Sequence, residues 1–182
     1  MDTQPLRYSH QEDYALSPAD RESLRRLLAA SFEGSFEDRT YYKQVPKARF
    51  LVHSGDAIVA QLGMEDRVIR MGDDPVRIFG VIDLCVAGAW RGRGVASQLL
   101  RHVEALGRTY GIDYLVLFAD EPSLYRRHGY GYVPNTVRWL GIDEHRSLGI
   151  LEQPQGECFM VKALGARPWD PAAPVDLLGY LF

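Results

Sequence analysis

Arg91, Gly92, Arg93, Gly94, Val95 and Ala96 stand where an apolar run, Asp83-Leu84-Cys85-Val86, passes through a short turn into the start of a helix. These residue types suit the binding of a diphosphate. Several backbone N–H groups must converge on such a ligand, and the first turn of a helix has free ones, backed by the positive end of the helix dipole. Gly92 and Gly94 remove side chains where main chain must come close to the ligand, Ala96 keeps the next turn small, and Arg91 and Arg93 add positive charge. Backbone donors over 91–96 are expected to carry most of the binding, with the two arginines adding an attraction that salt screens.

Spacing separates the families that own such loops. A P-loop ends in Gly-Lys-Ser/Thr, whereas Gly94 is followed by Val95-Ala96, so the phosphate lysine and the magnesium hydroxyl are both missing. A dinucleotide fingerprint wants a third glycine where Ser97 stands, and an acidic residue closing a strand about 20 positions on, where Asp113 instead opens one. A nucleotide-dependent oxidoreductase or kinase is thereby disfavoured. The remaining pattern, Arg91-x-x-Gly94-x-Ala96 after Leu84-x-Val86, resembles motif A of the GCN5-related N-acetyltransferase (GNAT) superfamily, which grips the pyrophosphate of acetyl-CoA. Leu124-Tyr125-Arg126-Arg127-His128-Gly129-Tyr130 is similar to motif B of the same superfamily, with Leu124 in place of the first aromatic. The two signatures, in the right order, cover residues 76–133.

The resemblance implies a direct acetyl transfer from acetyl-CoA, the cosubstrate, to a primary amine of a small molecule. Such a transfer needs a neutral nitrogen, a polarised thioester and a proton for the departing thiolate. Motif B tyrosines often supply that proton, which points to Tyr125; the plainer role for it is an aromatic filling the core. Asp83 is the only charge in the apolar run Val81-Ile82-Asp83-Leu84-Cys85-Val86, and a carboxylate there is costly without a partner. The resemblance makes it the general base, directly or through water, and a structural carboxylate at a strand bulge is the alternative. Leu84, Cys85 and Val86 are expected to offer main-chain partners to pantetheine. Cys85 reads as inert packing rather than as a nucleophile, since no histidine is paired with it in the sequence.

Across nearly the whole chain the layout is also similar to the aminoglycoside 2'-N-acetyltransferases, with a helix ending near Ser31-Phe32-Glu33-Gly34-Ser35-Phe36, then Asp83, Trp90-Arg91-Gly92-Arg93 and Leu124-Tyr125, and an aromatic at the end of a short tail. Those enzymes surround a polycationic sugar with acidic groups, which implies Glu33, Glu37, Asp38 and the Phe182 carboxylate as acceptor-binding groups. Asp83 stands where that family has Glu, one methylene longer. A CoA-sensing or partner-binding module that has lost catalysis is the competing class, and the joint presence of Asp83 and Tyr125 argues against it.

The elements that must position these residues follow from periodicity and turn chemistry. Ser17-Pro18-Ala19-Asp20 opens a helix over 18–32, with Leu24, Leu27 and Leu28 on one face. Strands over 49–53, 57–64 and 76–86 form an antiparallel meander broken at Ser54-Gly55-Asp56 and Gly72-Asp73-Asp74-Pro75. Val95, Leu99, Leu100, Val103 and Leu106 mark a helix that crosses over to the strand 114–118, parallel to 76–86. A short helix over 122–128 precedes a final strand pair at 133–140 and 158–163, and prolines at 168, 171 and 174 mark an irregular tail.

The fold expected is a single α/β (α+β) domain over 1–182, with a mixed, mostly antiparallel central sheet, one parallel strand-helix-strand crossover and flanking helices. The 182-residue chain has a net charge of −3 and no long basic block, which disfavours nucleic acid as partner. No apolar run is long enough to span a membrane and no signal peptide is evident, so a cytoplasmic protein is expected. The two cysteines, Cys85 and Cys158, lack metal-ligand spacing, and no metal is expected. A homodimer stays open.

Overall fold

Ser17 caps the first helix as its residue type dictates: its hydroxyl accepts from the Asp20 N–H at 3.0 Å, and Pro18 takes the first helical position, where no donor is needed. The computed structural model describes residues 5–182. The described residues fold as two compact units, one made of residues 5–64 together with Ile82–Val103, the other of Glu65–Val81 with Glu104–Phe182.

In the first unit, helix α1 (Pro18–Ser31) buries Leu24, Leu27 and Leu28 against Leu51, Ile58 and Cys85. Strand β1 (Leu6–Glu12) pairs antiparallel with β2 (Ala48–Ser54), from Leu6↔Ser54 to Glu12↔Ala48. β2 turns at Ser54-Gly55-Asp56 into β3 (Ala57–Met71) and pairs with it antiparallel, Ala48 facing Met64. Six of the seven β2 residues are buried, which accounts for its near-continuous apolar run and makes the one arginine in it, Arg49, conspicuous. The last residues of β4 (Asp74–Val86) and the first nine of helix α2 (Val95–Thr109) complete this unit, with Val95, Leu99, Leu100 and Val103 buried at helical spacing.

In the second unit the strand order is β6-β9-β5-β4-β3-β10-β7-β8. β5 (Tyr114–Phe118) lies parallel to β4, Ile78 against Tyr114 and Gly80 against Val116, as the crossover through α2 requires. β9 (Phe159–Ala163) pairs antiparallel with β5 and with the two-residue β6 (Gly131–Tyr132). The short helix α3 (Ser123–Arg127) precedes β6. The expected pairing of 133–140 with 158–163 does not form. Instead β7 (Thr136–Asp143) pairs antiparallel with β8 (Arg146–Pro154) and parallel with β10 (Val175–Tyr180).

Four strands escape the sequence patterns, the two-residue β6 among them. β10 lies in the segment that its prolines mark as an irregular tail, and it forms because it pairs with both β3 and β7, a long-range interaction with no local signature. β8 is exposed at every residue, and its apolar residues, Leu148, Ile150 and Leu151, make too short a run to mark a strand. β1 is mostly polar and is held by its ladder with β2.

At Gly80 the sheet meets another residue directly: a Cβ there would lie 2.6 Å from the Phe182 ring, which is also packed edge-on against Phe118 at 5.7 Å. Gly80→Ala should therefore destabilise the protein by about 1–3 kcal/mol through overpacking, read from a denaturant melt. Trimming the ring with Phe182→Leu in the same chain should restore part of the loss.

Candidate active site

The turn between β4 and α2 is built on backbone that a side chain would oppose. After one 3-10 turn, Gly88–Trp90, the chain passes Gly92 at φ +73° and Gly94 at φ +78°, left-handed values that favour glycine. Among the described residues a Cβ at either position would meet nothing within 4 Å, so what requires glycine is the conformation, and no described side chain fills the space beside the loop. The first bond into the helix runs from the Gln98 N–H to the Gly94 carbonyl at 3.0 Å. The amides of Val95, Ala96 and Ser97 therefore have no carbonyl one turn back to donate to, and they lie at the positive end of the helix dipole. Arg91 Nε donates to the Val86 carbonyl at 2.9 Å, tying the loop to its strand, and the Arg93 guanidinium lies 5.0 Å over the Trp90 ring.

Three residues upstream of Val86, Asp83 sits inside β4 at φ +51°, a left-handed value rare in a strand and tolerated best by Asn and Asp. Its side chain is half-buried. Burial pushes its carboxyl up to about 6, with the positive charge of Arg49 pulling the other way. The Asp83 carbonyl accepts from the side-chain amide of Gln61. Cys85, two residues on, is buried in the cluster under α1, and burial pushes its thiol up to about 12. A thiol so buried stays protonated and unreactive at neutral pH.

Tyr125 lies on α3 in the second unit, half-buried and edge-on to Tyr130 with ring centroids 5.9 Å apart. Burial raises its pKa, so it keeps its proton. The turn after α3 is closed by the His128 and Tyr130 N–H groups, which donate to the Tyr125 carbonyl at 2.9 and 3.2 Å. Tyr130 is buried and, among the described residues, its hydroxyl has no hydrogen-bond partner. Lys162 Nζ lies 5.9 Å over its ring and is ion-paired with Glu104 at 2.5 Å.

Asp83, Leu84, Cys85 and Val86 thus lead directly into the loop 91–96 within one unit, and Tyr125 belongs to the other. Glu33, Glu37 and Asp38 share the loop after α1 and are exposed; Asp38 lies 3.5 Å from Arg25. Phe182 is half-buried, with Arg67 4.9 Å over its ring. His102 is half-buried, edge-on to Tyr8 at 5.3 Å and 3.1 Å from the Gln98 side-chain amide.

The sequence reading missed the polar chain behind Asp83. Arg49 and Gln61 are both fully buried, and Asp13 is 4% exposed. Arg49 Nε donates to Asp13 at 2.5 Å, one terminal nitrogen donates to the Gln61 side-chain oxygen at 3.0 Å, and the other donates to the Thr40 carbonyl. The signal for it was available, an arginine and a glutamine each inside an otherwise apolar strand. Among the described residues no helix is long and apolar enough to cross a membrane.

A family model described as an acetyltransferase (GNAT) domain matches residues 15–133, well over half of the chain. The chain belongs to the GNAT acetyltransferase family. It is 30% identical over 94 residues to an aminoglycoside 2'-N-acetyltransferase of Mycolicibacterium fortuitum, a match that covers 51% of this chain and 48% of that one. It is 37% identical over 81 residues to an uncharacterized N-acetyltransferase of Streptomyces avermitilis, covering 44% of this chain and 20% of the relative. The chain thus matches from a fifth to about half of the length of these curated relatives. A GNAT family N-acetyltransferase from Escherichia coli, solved in complex with CoA, has the same fold, with a TM-score of 0.62 at 18% identity over 97% of this chain and 93% of that one. A GCN5-related N-acetyltransferase from Kribbella flavida gives 0.58 at 26% identity, over 74% and 34%. The expected mixed α/β GNAT fold is the fold of this chain.

The position of Asp83 makes stability depend on pH. Its pKa is about 4 in an unfolded chain and about 6 in the fold, so the folded state binds the extra proton between those values. The resulting stabilisation is complete below the lower value and is lost as pH rises through the upper one. Asp83→Asn cannot ionise. Relative to that variant, the wild type should lose stability from acid to neutral pH by an amount on the order of 1–3 kcal/mol. Thermal melts of the two proteins at a series of pH values measure it, and a constant difference would contradict it.

Proposed function

We propose that this GNAT chain is an acetyl-CoA-dependent N-acetyltransferase that passes the acetyl group directly to a primary amine of a small molecule, and that residues 1–182 work as one domain. The observation that carries the reading is the turn 91–96: two left-handed glycines with no described side chain beside them, followed by amides with no helical acceptor. That donor set fits a diphosphate, since it brings positive potential without a side chain in the way. The case for one domain is that β3, β4 and α2 each run through both compact units.

In this reading the main chain of Arg91 to Ala96 holds the pyrophosphate, with Arg91 and Arg93 adding charge, and the main chain at Leu84, Cys85 and Val86 takes the pantetheine amides. Acetyl-CoA, when bound, supplies the thioester acyl donor. Asp83, at about 6, is mostly ionised at neutral pH yet close enough to neutrality to serve as a base toward an ammonium group. Tyr125 keeps its hydroxyl proton available at the same pH, which a general acid must do. The raised pKa of Cys85 disfavours an acyl-cysteine route. The exposed carboxylates of Glu33, Glu37 and Asp38 favour a cationic acceptor, and the likeness to an aminoglycoside 2'-N-acetyltransferase over half the chain supports an aminoglycoside-like amine, with Phe182 as a further contact. Residence in the cytoplasm is part of this reading and agrees with two free cysteines.

The test is a screen of aminoglycosides, polyamines and peptides for thiol release from acetyl-CoA. Binding without turnover of any amine would instead favour a regulatory acyl-CoA-binding module. Gly94→Glu should abolish acetyl-CoA binding by calorimetry, because it puts a bulky anion where the diphosphate is to lie; undiminished binding would remove the loop assignment. Tyr125→Phe should lower turnover on the order of 10²-fold and leave acetyl-CoA affinity near the wild-type value. Unchanged turnover would return Tyr125 to core packing.

A further inference from the structure

The buried polar chain behind Asp83 has an orientation that its chemistry fixes. A guanidinium only donates hydrogen bonds, so Gln61 must turn its side-chain oxygen toward Arg49. A backbone carbonyl only accepts, so the other end of the same amide, its NH₂ group, must face the Asp83 carbonyl. Both requirements agree, and Gln61 has no other rotation of its amide that satisfies them. Because Gln61 and Arg49 are fully buried, water cannot replace either partner. Arg49 is in turn anchored through Asp13 and the Thr40 carbonyl. The chain of bonds therefore runs from Asp13 through Arg49 and Gln61 to the one residue of β4 whose backbone is left-handed.

A buried ion pair and a buried amide are a poor way to stabilise a strand, since well-packed apolar residues of similar volume often serve as well or better. An arginine on β2 and a glutamine on β3 that meet diagonally, Arg49 standing opposite Gly63 and Gln61 opposite Leu51, call for another role. We propose that Gln61 is a positioning residue: backed by the Asp13–Arg49 ion pair, its amide holds the main chain at Asp83 in the left-handed conformation and so sets where the Asp83 carboxyl stands. The inference rests on the reading of Asp83 as the general base. A left-handed residue in a strand relaxes toward extended geometry unless its surroundings hold it, and in a strand such a change moves the side chain toward the opposite face. The Gln61–Asp83 bond opposes that relaxation.

The test is a double-mutant cycle with Gln61→Met, of similar length but with no donor, and Asp83→Asn. Turnover, acetyl-CoA KM, the pH profile of kcat/KM and the melt are recorded for each protein with one acceptor of known pKa. Gln61→Met is expected to lower kcat about 10- to 100-fold, the scale of a misplaced catalytic group, with acetyl-CoA KM unchanged. In the Asp83→Asn background the same substitution should cost almost nothing further, because its effect passes through the carboxyl. Wild-type turnover for Gln61→Met, or an equal fold-loss in both backgrounds, overturns the proposal. Wild-type turnover for Asp83→Asn alone overturns the base assignment instead, so the two failures are distinct. Should Gln61→Met not fold, Gln61→Glu still accepts from Arg49 but cannot donate to Asp83. It should show the same kinetic loss and move the acidic limb of the pH profile upward, and an unmoved limb at wild-type rate overturns the proposal.

Discussion

A guanidinium keeps its charge at any pH a protein meets, and Arg49 has no access to water at all. Everything near it in the first unit must therefore answer to its donors. Asp13 supplies the countercharge, Thr40 gives up its carbonyl, and Gln61 is turned so that its amide reaches across to β4. Removing one partner of such a pair strands a buried charge at a cost of about 3–5 kcal/mol, whereas removing both together with good packing costs little. The arrangement is brittle to single changes and conveys the position of one strand to the next.

The stretch from Asp83 to Gly94 concentrates three left-handed residues within twelve positions. The first interrupts a strand and the other two shape the entry to a helix. Each costs conformational energy that the surrounding structure must offset, and backbone of this kind collects where main-chain groups are put to use. The tie from Arg91 to the Val86 carbonyl links the two parts, so that the strand end and the helix start form one local unit of structure.

What could be read in the sequence divides along the range of the interactions. The loop 91–96 and the Leu124–Tyr130 run were legible because glycine, arginine and aromatic residues at fixed spacing act through their own backbone and near neighbours. α1, α2 and the meander were legible through cap chemistry and apolar period. β10 was not, because its strand character comes from partners about 40 and 100 residues away in the chain, Val137 and Met71. The Arg49–Gln61–Asp83 chain was half legible: each polar residue stands out in its apolar strand, and only the register of β2, β3 and β4 says that they meet. Asp83 stands out in the sequence as a lone charge in an apolar run, and the residues it meets were the part that spacing could not supply.

β8 ends the strand order and is exposed along its whole length, with Leu148 and Ile150 each 59% exposed. An edge of that kind invites further strands to add on. Its ladder with β7 slips register between Gly141 and Ile142, and Gly149 takes φ +88° close by, so the edge is bent just where its apolar side chains are. A bent, bulged edge makes a poor template for another strand. The same kind of backbone irregularity that marks Asp83 in its strand thus recurs in the β7–β8 hairpin, where it disfavours growth of the sheet at that edge.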